Sequence, residues 1–325
     1  MQAVVHDRYG SADVLALREV ERPVPSDGEV LVRVRAAGVD RGVWHLLTGL
    51  PYLARVVAIP QRPSRSPIRG TEFAGQVEAA GGGVRGFRPG DEVYGVCRTG
   101  SFAEYTCAPV VKVAPKPAGL SFEQAAAVPI SGATALQGLR DLGAIRPGQR
   151  VLVTGAGGGV GTFAVQLAKA FGAEVSGVCS TARVELVRSL GADRVIDRTQ
   201  EDFADGRERY DLVLDNAGIR PLAELRRALT PGGTLVLVGG EGGGRWLGGF
   251  QRQIFWAPLA SLRRGPRIKA LAAKERGEDL VFLNGLFDSG EVAPVIDRTY
   301  PLAEAADAIR RLESGEAGGK LVITV

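Results

Sequence analysis

The chain has 325 residues, of which 45% are hydrophobic and 23% charged, so it is long enough for two domains that share an interface and can bury a large core. Its formal net charge of +4 is not concentrated in a run of about five or more like charges, which favours an anionic small ligand and argues against nucleic acid as a partner. Three widely spaced cysteines argue against a disulfide framework, and no apolar window of about 18 residues suggests a membrane span, so we expect a cytoplasmic location.

The first part of the chain predicts a compact β-rich domain. From residue 1 to about residue 120, apolar and polar residues alternate, as in VLVRVRAAGV and FAGQVEAAG. Glycine and proline interrupt the pattern about every ten residues, which is typical of short, mostly antiparallel strands in a barrel-like arrangement. The stretch PQRPSRSPIRG, at residues 60–70, is expected to be an exposed loop.

A change of pattern at LSFEQAAAVPISGATALQGL indicates a second kind of domain. Ser121 and Gln124 have the spacing of a capping box, which predicts that a helix starts there. Near-continuous Val/Leu strands then alternate with helices predicted at 162–171, 182–190 and 222–229. This pattern is typical of a parallel sheet covered on both faces, and we expect its strand LVLVGG to lie at the sheet edge.

The C-terminal segment PVIDRTYPLAEAADAIRRLESGEAGGKLVITV predicts a helix followed by a strand, which we expect to return to the first domain. The chain is thereby divided into a first domain at 1–122, completed by 265–325, and a second domain at 123–264.

A glycine-rich loop, TGAGGGVG, follows the strand VLV and precedes a helix. A chain that turns sharply toward a diphosphate needs residues without a Cβ, and the N–H groups at the start of the helix then face the anion. This context predicts that the loop binds a dinucleotide. Its candidate residues are Gly155, Gly157, Gly158, Gly159, Val160 and Gly161.

The tip of the next strand indicates which dinucleotide is bound. An NAD site usually places an acidic residue there, but this chain has Cys179, Ser180 and Thr181. Without a carboxylate at the tip, Arg183 and Arg198 could pair with the 2′-phosphate of NADPH, which we therefore expect as the cofactor. The alternative is that both arginines are simply solvated.

Taken together, these segments resemble the medium-chain dehydrogenase/reductase superfamily. RGTEFAGQVEAAGGGVRGFRPGDEVYG is similar to its G-x-[DE]-x-A-G-x-V…F-x-x-G-D-x-V-x-G signature, and GADRVIDR, DLVLDNAG and GGTLVLVGG fall where its cofactor domain has counterparts. The resemblance implies an α/β fold with a GroES-like β-rich catalytic domain and a Rossmann domain built on a doubly wound parallel sheet. It also implies an active site in the cleft between them, and an insertion around residues 53–68 should overhang that cleft.

The positions that bind zinc in one branch of this superfamily carry Asp40, Thr71 and Ile130 here. Isoleucine cannot bind zinc, and a catalytic zinc needs three protein ligands, so no metal is expected. The remaining resemblance is to the zinc-free quinone oxidoreductase and zeta-crystallin branch, which includes enoyl reductases. That branch commonly has N-P-x-D where this chain has Asp40-Arg41-Gly42-Val43, which puts substrate contacts carried over from relatives in doubt.

The resemblance implies roles for several residues near the nicotinamide. His45 and Tyr52 would lie at the cleft floor as donors to a substrate carbonyl, and Asp40 would anchor a ribose or orient His45. Thr134 would contact the nicotinamide, while Asn216, Gly239 and Gly240 would line its ribose and carboxamide. The alternatives are that His45 only packs in a helix, that Thr134 bonds its own backbone and that the others form ordinary turns. Glu72 could be structural, and Lys320 could reach the cofactor or lie on the surface.

The function expected from the resemblance is NADPH-dependent hydride transfer to a quinone or to the β-carbon of an enone. A secondary-metabolite enoyl reductase is an alternative within this class. An alternative of another class is a cofactor-binding structural or regulatory protein with little turnover. Because relatives are often dimers, a homodimer is expected.

Overall fold

The computed structural model describes residues 1–52, 55, 68–240, 244–249 and 265–325. Most of the 53–68 insertion, and with it most of the loop expected at residues 60–70, therefore lies outside the described residues. The strands of the described ranges are β1 (Gln2–Val5), β2 (Ala16–Glu19), β3 (Glu29–Val39), β4 (Glu72–Ala80), β5 (Glu92–Val96), β6 (Tyr105–Pro109), β7 (Val113–Pro115), β8 (Arg150–Thr154), β9 (Glu174–Cys179), β10 (Arg194–Asp197), β11 (Tyr210–Asp215), β12 (Leu229–Leu237), β13 (Arg267–Ala270), β14 (Ile296–Pro301) and β15 (Lys320–Thr324).

The α-helices of the described ranges are α1 (Arg41–Thr48), α2 (Phe122–Ala126), α3 (Ser131–Leu136), α4 (Gly159–Ala170), α5 (Val184–Ser189), α6 (Leu222–Arg227), α7 (Gly244–Leu247), α8 (Gly277–Asp288) and α9 (Ala305–Ser314). A π-helix continues α3 over Gln137–Leu142, and short 3-10 helices occur at Ala12–Val14, Val110–Lys112, Thr181–Arg183 and Leu302–Glu304. None of the helices in these ranges combines the length and apolar character that crossing a membrane requires.

A seven-stranded sheet forms the β-rich part of the fold, in the order β14-β15-β3-β4-β5-β7, with β6 also paired to β3. Its long central strand β3 is almost entirely buried, because neighbouring strands and helices cover it on both faces. The C-terminal strand β15 runs antiparallel to β3, with Leu321 opposite Val39. The expectation that the C-terminal segment returns to the first domain is therefore confirmed.

A six-stranded parallel sheet forms the second part, in the order β10-β9-β8-β11-β12-β13. Its first strand, β8, lies in the middle, with β9 on one side and β11 on the other, so the chain winds outward in both directions as in a Rossmann fold. The expected combination of a GroES-like sheet and a doubly wound parallel sheet is confirmed.

Two sequence expectations about this sheet are wrong. The strand expected at LVLVGG, whose first three residues are the end of β12, is not at the edge, because β13 pairs with it in parallel, with Leu235 opposite Ile268. The domain boundary expected at residue 265 is also misplaced, since β13 follows that boundary but belongs to the parallel sheet.

The helix boundaries also differ from the expected ones in ways that local geometry explains. The helix expected at 162–171 starts at Gly159, since the glycine loop already provides its first turn. The helix expected at 182–190 is divided into a 3-10 turn and the short α5. The helix expected at 222–229 ends at Arg227, because β12 begins two residues later. The capping box is confirmed, with the Ser121 side chain accepting from the Gln124 amide at 3.2 Å.

One apolar core joins the two sheets. Ala36, Ala74 and Tyr94 of the antiparallel sheet belong to the same buried cluster as Val153 and Leu214 of the parallel sheet. Side chains of the two sheets therefore pack against each other in one buried core.

Candidate active site

The glycine loop forms a tight turn at the C-terminal end of β8. Gly155 has a left-handed φ of 65°, and the Gly158 amide donates to the Gly155 carbonyl at 3.0 Å. A Cβ on Gly161 would lie 2.1 Å from the Gly155 carbonyl oxygen, which no side chain permits. The loop and the first turn of α4 can therefore pack this closely only with glycine at these positions.

The start of α4 provides the anion-binding geometry that the sequence predicts. The helix has 12 residues, begins at Gly159-Val160 and has no acidic residue in its first turn. Its first N–H groups have no helical partner and carry the positive end of the helix dipole. These residues fit the diphosphate of a dinucleotide.

The C-terminal tail lies directly against this loop. Gly319 pairs with Gly158 in an isolated parallel bridge, and the Gly319 amide donates to the Gly157 carbonyl at 3.0 Å. The next residue, Lys320, extends its side chain past the start of α4, where a Cβ on Gly159 would lie 2.9 Å from the Lys320 Cδ. The expectation that Lys320 might lie on the surface is wrong, because only 2% of its side chain is exposed.

The Lys320 ammonium forms a buried ion pair with the Glu72 carboxylate at the start of β4. The second Glu72 oxygen accepts from the Ile130 amide at 2.8 Å. Burial raises the pKa of Glu72 to about 7, although the adjacent ammonium favours its charged form. Gly38 makes room for this carboxylate, since its Cβ would lie 2.4 Å from Glu72 Oε1.

Asn216 lies where the tips of β8 and β11 meet. Thr154, the last residue of β8, donates its hydroxyl to Asp215 at 2.7 Å and accepts from the Ala217 amide at 3.2 Å. Both polar atoms of the Asn216 side chain are buried, and neither has a hydrogen-bond partner among the described residues. An unsatisfied buried amide costs about 1–3 kcal/mol, so this side chain fits a ligand that accepts from it and donates to it.

The backbone beside Asn216 belongs to the tip of β12. A Cβ on Gly239 would lie 1.9 Å from the Asn216 carbonyl oxygen, so only glycine allows the two strand ends to approach this closely. Gly240 follows and accepts from the Gly249 amide at 2.9 Å. The structure thus brings Asn216, Gly239 and Gly240 together, as the sequence predicts, in the crevice at the carboxyl end of the sheet.

Thr134 lies on α3, which packs beside α4. Thr134 is buried, and its backbone amide donates to the Ile130 carbonyl at 3.0 Å. The helix also brings Ser131 to the loop, with its hydroxyl 3.2 Å from the position of a Cβ on Gly159. Thr134 therefore lies one turn further along a helix that borders the glycine loop.

A carboxylate lies at the edge of the β9 tip, contrary to the expectation that none stands there. Asp197 ends β10 directly opposite Cys179, and it accepts from the Thr199 amide at 2.9 Å. Hydrogen bonds from Thr181 and then from Thr199 hold the pKa of Asp197 below its usual value. The sequence did not reveal this residue as a neighbour, because it belongs to the following strand.

The two arginines expected at the phosphate differ in their surroundings. Arg183 packs against Gly157, whose Cβ would lie 2.6 Å from Arg183 Cδ, and its guanidinium donates to the Gly315 carbonyl. Burial lowers the pKa of Arg183. The Arg198 side chain is exposed and makes no hydrogen bond or ion pair with the described residues, while its backbone amide holds it beside Cys179 and the Ser180–Thr181 tip.

Asp40 has a structural role at the start of α1. One carboxylate oxygen accepts from the Val43 amide at 3.1 Å and caps the helix, and the other accepts from the Thr71 hydroxyl at 2.9 Å. These two bonds explain why an acidic side chain is buried at this position. Within the ranges that the structure describes, no group of three or more His, Cys, Asp or Glu side chains is placed to hold a metal ion.

His45 and Tyr52 lie at the C-terminal end of α1. His45 Nδ1 is 2.6 Å from the Leu50 carbonyl oxygen, and because a carbonyl only accepts, Nδ1 carries the proton. Neutral His45 then has a lone pair on Nε2, and it can donate from that atom only as an imidazolium. Tyr52 contacts Trp246 of α7, with ring centroids 5.2 Å apart.

Sequence reasoning missed two partnerships in this site. The Glu72–Lys320 pair was not expected as a pair, although the GGK motif before the last strand was a signal. The Tyr52–Trp246 contact joins residues of different domains, and the sequence around Trp246 carries no motif that points to it.

Comparisons with known proteins agree with this geometry. Residues 26–118 match the family described as alcohol dehydrogenase GroES-like domain, and residues 190–323 match the family described as zinc-binding dehydrogenase. The chain is 36% identical to the 2-methylene-furan-3-one reductase of Solanum lycopersicum, over 99% of this chain and 79% of that protein. It is 33% identical to the chloroplastic NADPH-dependent alkenal/one oxidoreductase of Arabidopsis thaliana, again over 99% of this chain and 79% of that protein.

Solved structures share the whole fold. The quinone oxidoreductase from Coxiella burnetii superimposes with a TM-score of 0.86 at 28% identity, covering 100% of this chain and 99% of that one. The CurK enoyl reductase superimposes with a TM-score of 0.85 at 26% identity, covering 99% and 98%. With its GroES-like sheet, its Rossmann sheet and these relatives, the chain belongs to the medium-chain dehydrogenase/reductase superfamily of oxidoreductase enzymes, in its quinone oxidoreductase-like branch.

Proposed function

We propose that the protein transfers a hydride from NADPH to a quinone or to the β-carbon of an enone. The observation that carries this proposal is the buried amide of Asn216, which has no hydrogen-bond partner among the described residues and lies in the same crevice as the glycine loop. The names of the relatives support it, since they are a furanone reductase, an alkenal/one oxidoreductase and a quinone oxidoreductase.

Different residues of the crevice bind the two halves of the cofactor. The first amides of α4 bind the diphosphate, and Asn216 with the backbone of Gly239 and Gly240 fixes the nicotinamide half. NADPH, when bound, supplies the hydride, so the protein contributes position, orientation and exclusion of water. In an enone the oxygen that gains charge needs a hydrogen-bond donor, the role that the resemblance implies for His45 and Tyr52, whereas a quinone can take its proton from solvent.

We also propose that the protein prefers NADPH to NADH. This preference is supported by the exposed Arg198 side chain, which has no partner among the described residues, next to the Ser180–Thr181 tip. Arg183 packs against the glycine loop, and its guanidinium would have to give up its hydrogen bond to the Gly315 carbonyl in order to bind the 2′-phosphate. Asp197 opposes the preference through its charge, so the two arginines must outweigh it.

We also propose that the reaction needs no zinc, although one matching family is described as zinc-binding. The support is the chemistry of the three positions concerned. Asp40 already accepts two hydrogen bonds, Thr71 donates to it, and the isoleucine at 130 has no side-chain donor atom for a metal.

An enoyl reductase acting on acyl thioesters is a second candidate, which the likeness to the CurK enoyl reductase favours. A panel of acceptors tests the candidates: NADPH oxidation is measured with 1,4-benzoquinone, with but-3-en-2-one and with crotonyl-coenzyme A. Rapid oxidation with either of the first two supports the proposal, and oxidation with the thioester alone supports the second candidate. Tight NADPH binding without turnover of any acceptor would leave the structural or regulatory alternative.

A homodimer and a cytoplasmic location stay predictions. The described parallel sheet ends at β10 on one side and at β13 on the other, and we propose that the β13 side meets a second copy of the chain. Light scattering of the purified protein tests this, and a monomeric mass would reject it. The three cysteines are buried and free, which supports a reducing compartment.

A further inference from the structure

A stack of aromatic rings with a guanidinium between two of them lies beside the C-terminal end of α1. The guanidinium of Arg55 lies 4.4 Å from the ring centroid of Tyr9 and 4.8 Å from that of Tyr52. Arg55 also donates from Nε to the Gly49 carbonyl at 2.7 Å and from Nη2 to the Thr48 carbonyl at 3.2 Å. Arg55 is thus fixed to the helix end and holds Tyr52 in place.

Tyr52 extends this stack across the two domains. Its ring meets Trp246 edge-on, with centroids 5.2 Å apart and planes at 68°. Trp246 belongs to a segment that leaves the β12 tip and is tied back to it by the bond from the Gly249 amide to the Gly240 carbonyl. The same segment packs against Pro51, whose Cγ lies 2.7 Å from the position of a Cβ on Gly248. The Tyr52–Trp246 pair therefore spans the two sides of the cleft.

Trp246 has an unusually open environment for its size. Its residue is 76% exposed, whereas Tyr52 is half-buried, so Trp246 is the outer member of the pair. An exposed tryptophan held in a fixed orientation offers a flat apolar face to a ligand, and aromatic rings stack on such faces with more energy than area burial alone provides.

We propose that Tyr52 and Trp246 form an aromatic rim that stacks on the outer ring of a fused-ring quinone, such as a naphthoquinone, and so determine substrate preference. This inference rests on the proposed function and names its substrate class. In the reaction the quinone gains the hydride and one proton from solvent, which gives the hydroquinone, while NADPH becomes NADP⁺.

The chemistry of the rim favours a fused-ring acceptor over the other two candidates. A short aliphatic enone has no second ring with which to reach outward from the nicotinamide to the rim. An acyl thioester of a phosphorylated carrier would need cationic donors, but Arg55 already bonds two carbonyls and stacks on two rings. The rim therefore offers aromatic faces to a ligand, and its guanidinium is already engaged by carbonyls and rings.

The test compares KM values for 1,4-naphthoquinone and but-3-en-2-one in the unsubstituted protein and in Trp246→Ala. We expect the naphthoquinone KM to rise about three- to tenfold and the butenone KM to change less than about twofold, because only the larger acceptor reaches the indole. Trp246→Phe keeps a ring and should recover much of the naphthoquinone KM. Phe282→Ala, which removes an exposed ring on α8, is the matched control and should change neither KM.

The outcomes separate this inference from the function on which it rests. An unchanged naphthoquinone KM in Trp246→Ala, or equal changes for both acceptors, would overturn the aromatic rim while leaving hydride transfer intact. A protein that reduces butenone but not naphthoquinone would do the same. If the unsubstituted protein reduces neither acceptor, the proposed function itself fails.

Discussion

The ammonium of Lys320 and the carboxylate of Glu72 form an ion pair in which both side chains are buried. The pair connects the first residue of the last strand to the first residue of β4, directly below the start of α4. The charge of this pair therefore changes the electrostatic potential where the diphosphate is expected to bind.

The first prediction concerns the pH dependence of nucleotide binding. Glu72 has a pKa of about 7, so lowering the pH from about 8 to about 6 neutralises it and leaves the Lys320 charge uncompensated beside the glycine loop. We expect the affinity for NADH to increase roughly threefold or more over this range. NADH is the right ligand for this titration because it lacks the 2′-phosphate, which itself titrates. Glu72→Gln should bind NADH with the same affinity at both pH values.

The same group makes a prediction about stability. Its pKa is raised from 4.5 to about 7 in the folded state, so the folded protein binds more protons than the unfolded chain within this window. The contribution of Glu72 to the free energy of unfolding should therefore decrease as the pH rises from 4.5 to 7. Denaturant titrations of the wild type and of Glu72→Gln measure the difference, and a contribution that increases with pH would contradict the assignment.

Gly161 should be intolerant of any side chain. An alanine there would place its Cβ 2.1 Å from the Gly155 carbonyl oxygen, which forces the glycine loop away from α4. We expect Gly161→Ala to lose NADPH binding and about 1–3 kcal/mol of unfolding free energy. The matched control is Gly285→Ala in α8, where nothing lies within 4 Å of the added Cβ. That variant should bind NADPH normally and gain up to about 1 kcal/mol.

Asn216 should be needed for the ligand and not for the fold. Its amide has no partner among the described residues, so Asn216→Ala removes no hydrogen bond to that part of the protein. We expect the melting temperature without ligand to stay the same or rise, while NADPH affinity falls about fivefold or more. Calorimetry with and without NADPH measures both quantities. A destabilised free protein with unchanged NADPH affinity would show that the amide is structural.

Arg198 should discriminate between the two cofactors. A charge-assisted bond to the 2′-phosphate is worth roughly 1.5–3 kcal/mol, so Arg198→Ala should weaken NADPH about tenfold or more and leave NADH nearly unchanged. Arg183→Ala should act in the same direction, with an added cost from its lost contact with Gly315. Asp197→Asn should have the opposite effect and strengthen NADPH. Equal losses for both nucleotides would remove the arginines from phosphate recognition.

Much of the fold follows from local patterns in the sequence. The buried strands around the glycine loop are rich in Val and Leu, and the capping box at Ser121 involves residues only three positions apart. The strand β13 was missed because it lacks such a local pattern: its sequence RIKA is short, partly exposed and without the apolar run of an internal parallel strand. The edge position assigned to LVLVGG was wrong as a consequence.

The placement of the glycine loop and the strand tips could be predicted from the sequence, whereas the contacts between distant segments could not. Glycines and strand tips have a fixed place in a Rossmann fold, so their order in the chain indicates their position in space. Glu72 and Lys320 are 248 residues apart, and no periodicity in the sequence relates them. Asp40 was expected to anchor a ribose or to orient His45. In the structure it caps α1, a local role that its position before a helix could have suggested.

A crystal structure of the NADPH complex tests the central claim most directly. We predict that the diphosphate lies against the first amides of α4, and that the nicotinamide ribose or carboxamide lies within hydrogen-bond distance of the Asn216 side chain. A diphosphate bound elsewhere, or a nicotinamide that leaves the Asn216 amide without a partner, would contradict it.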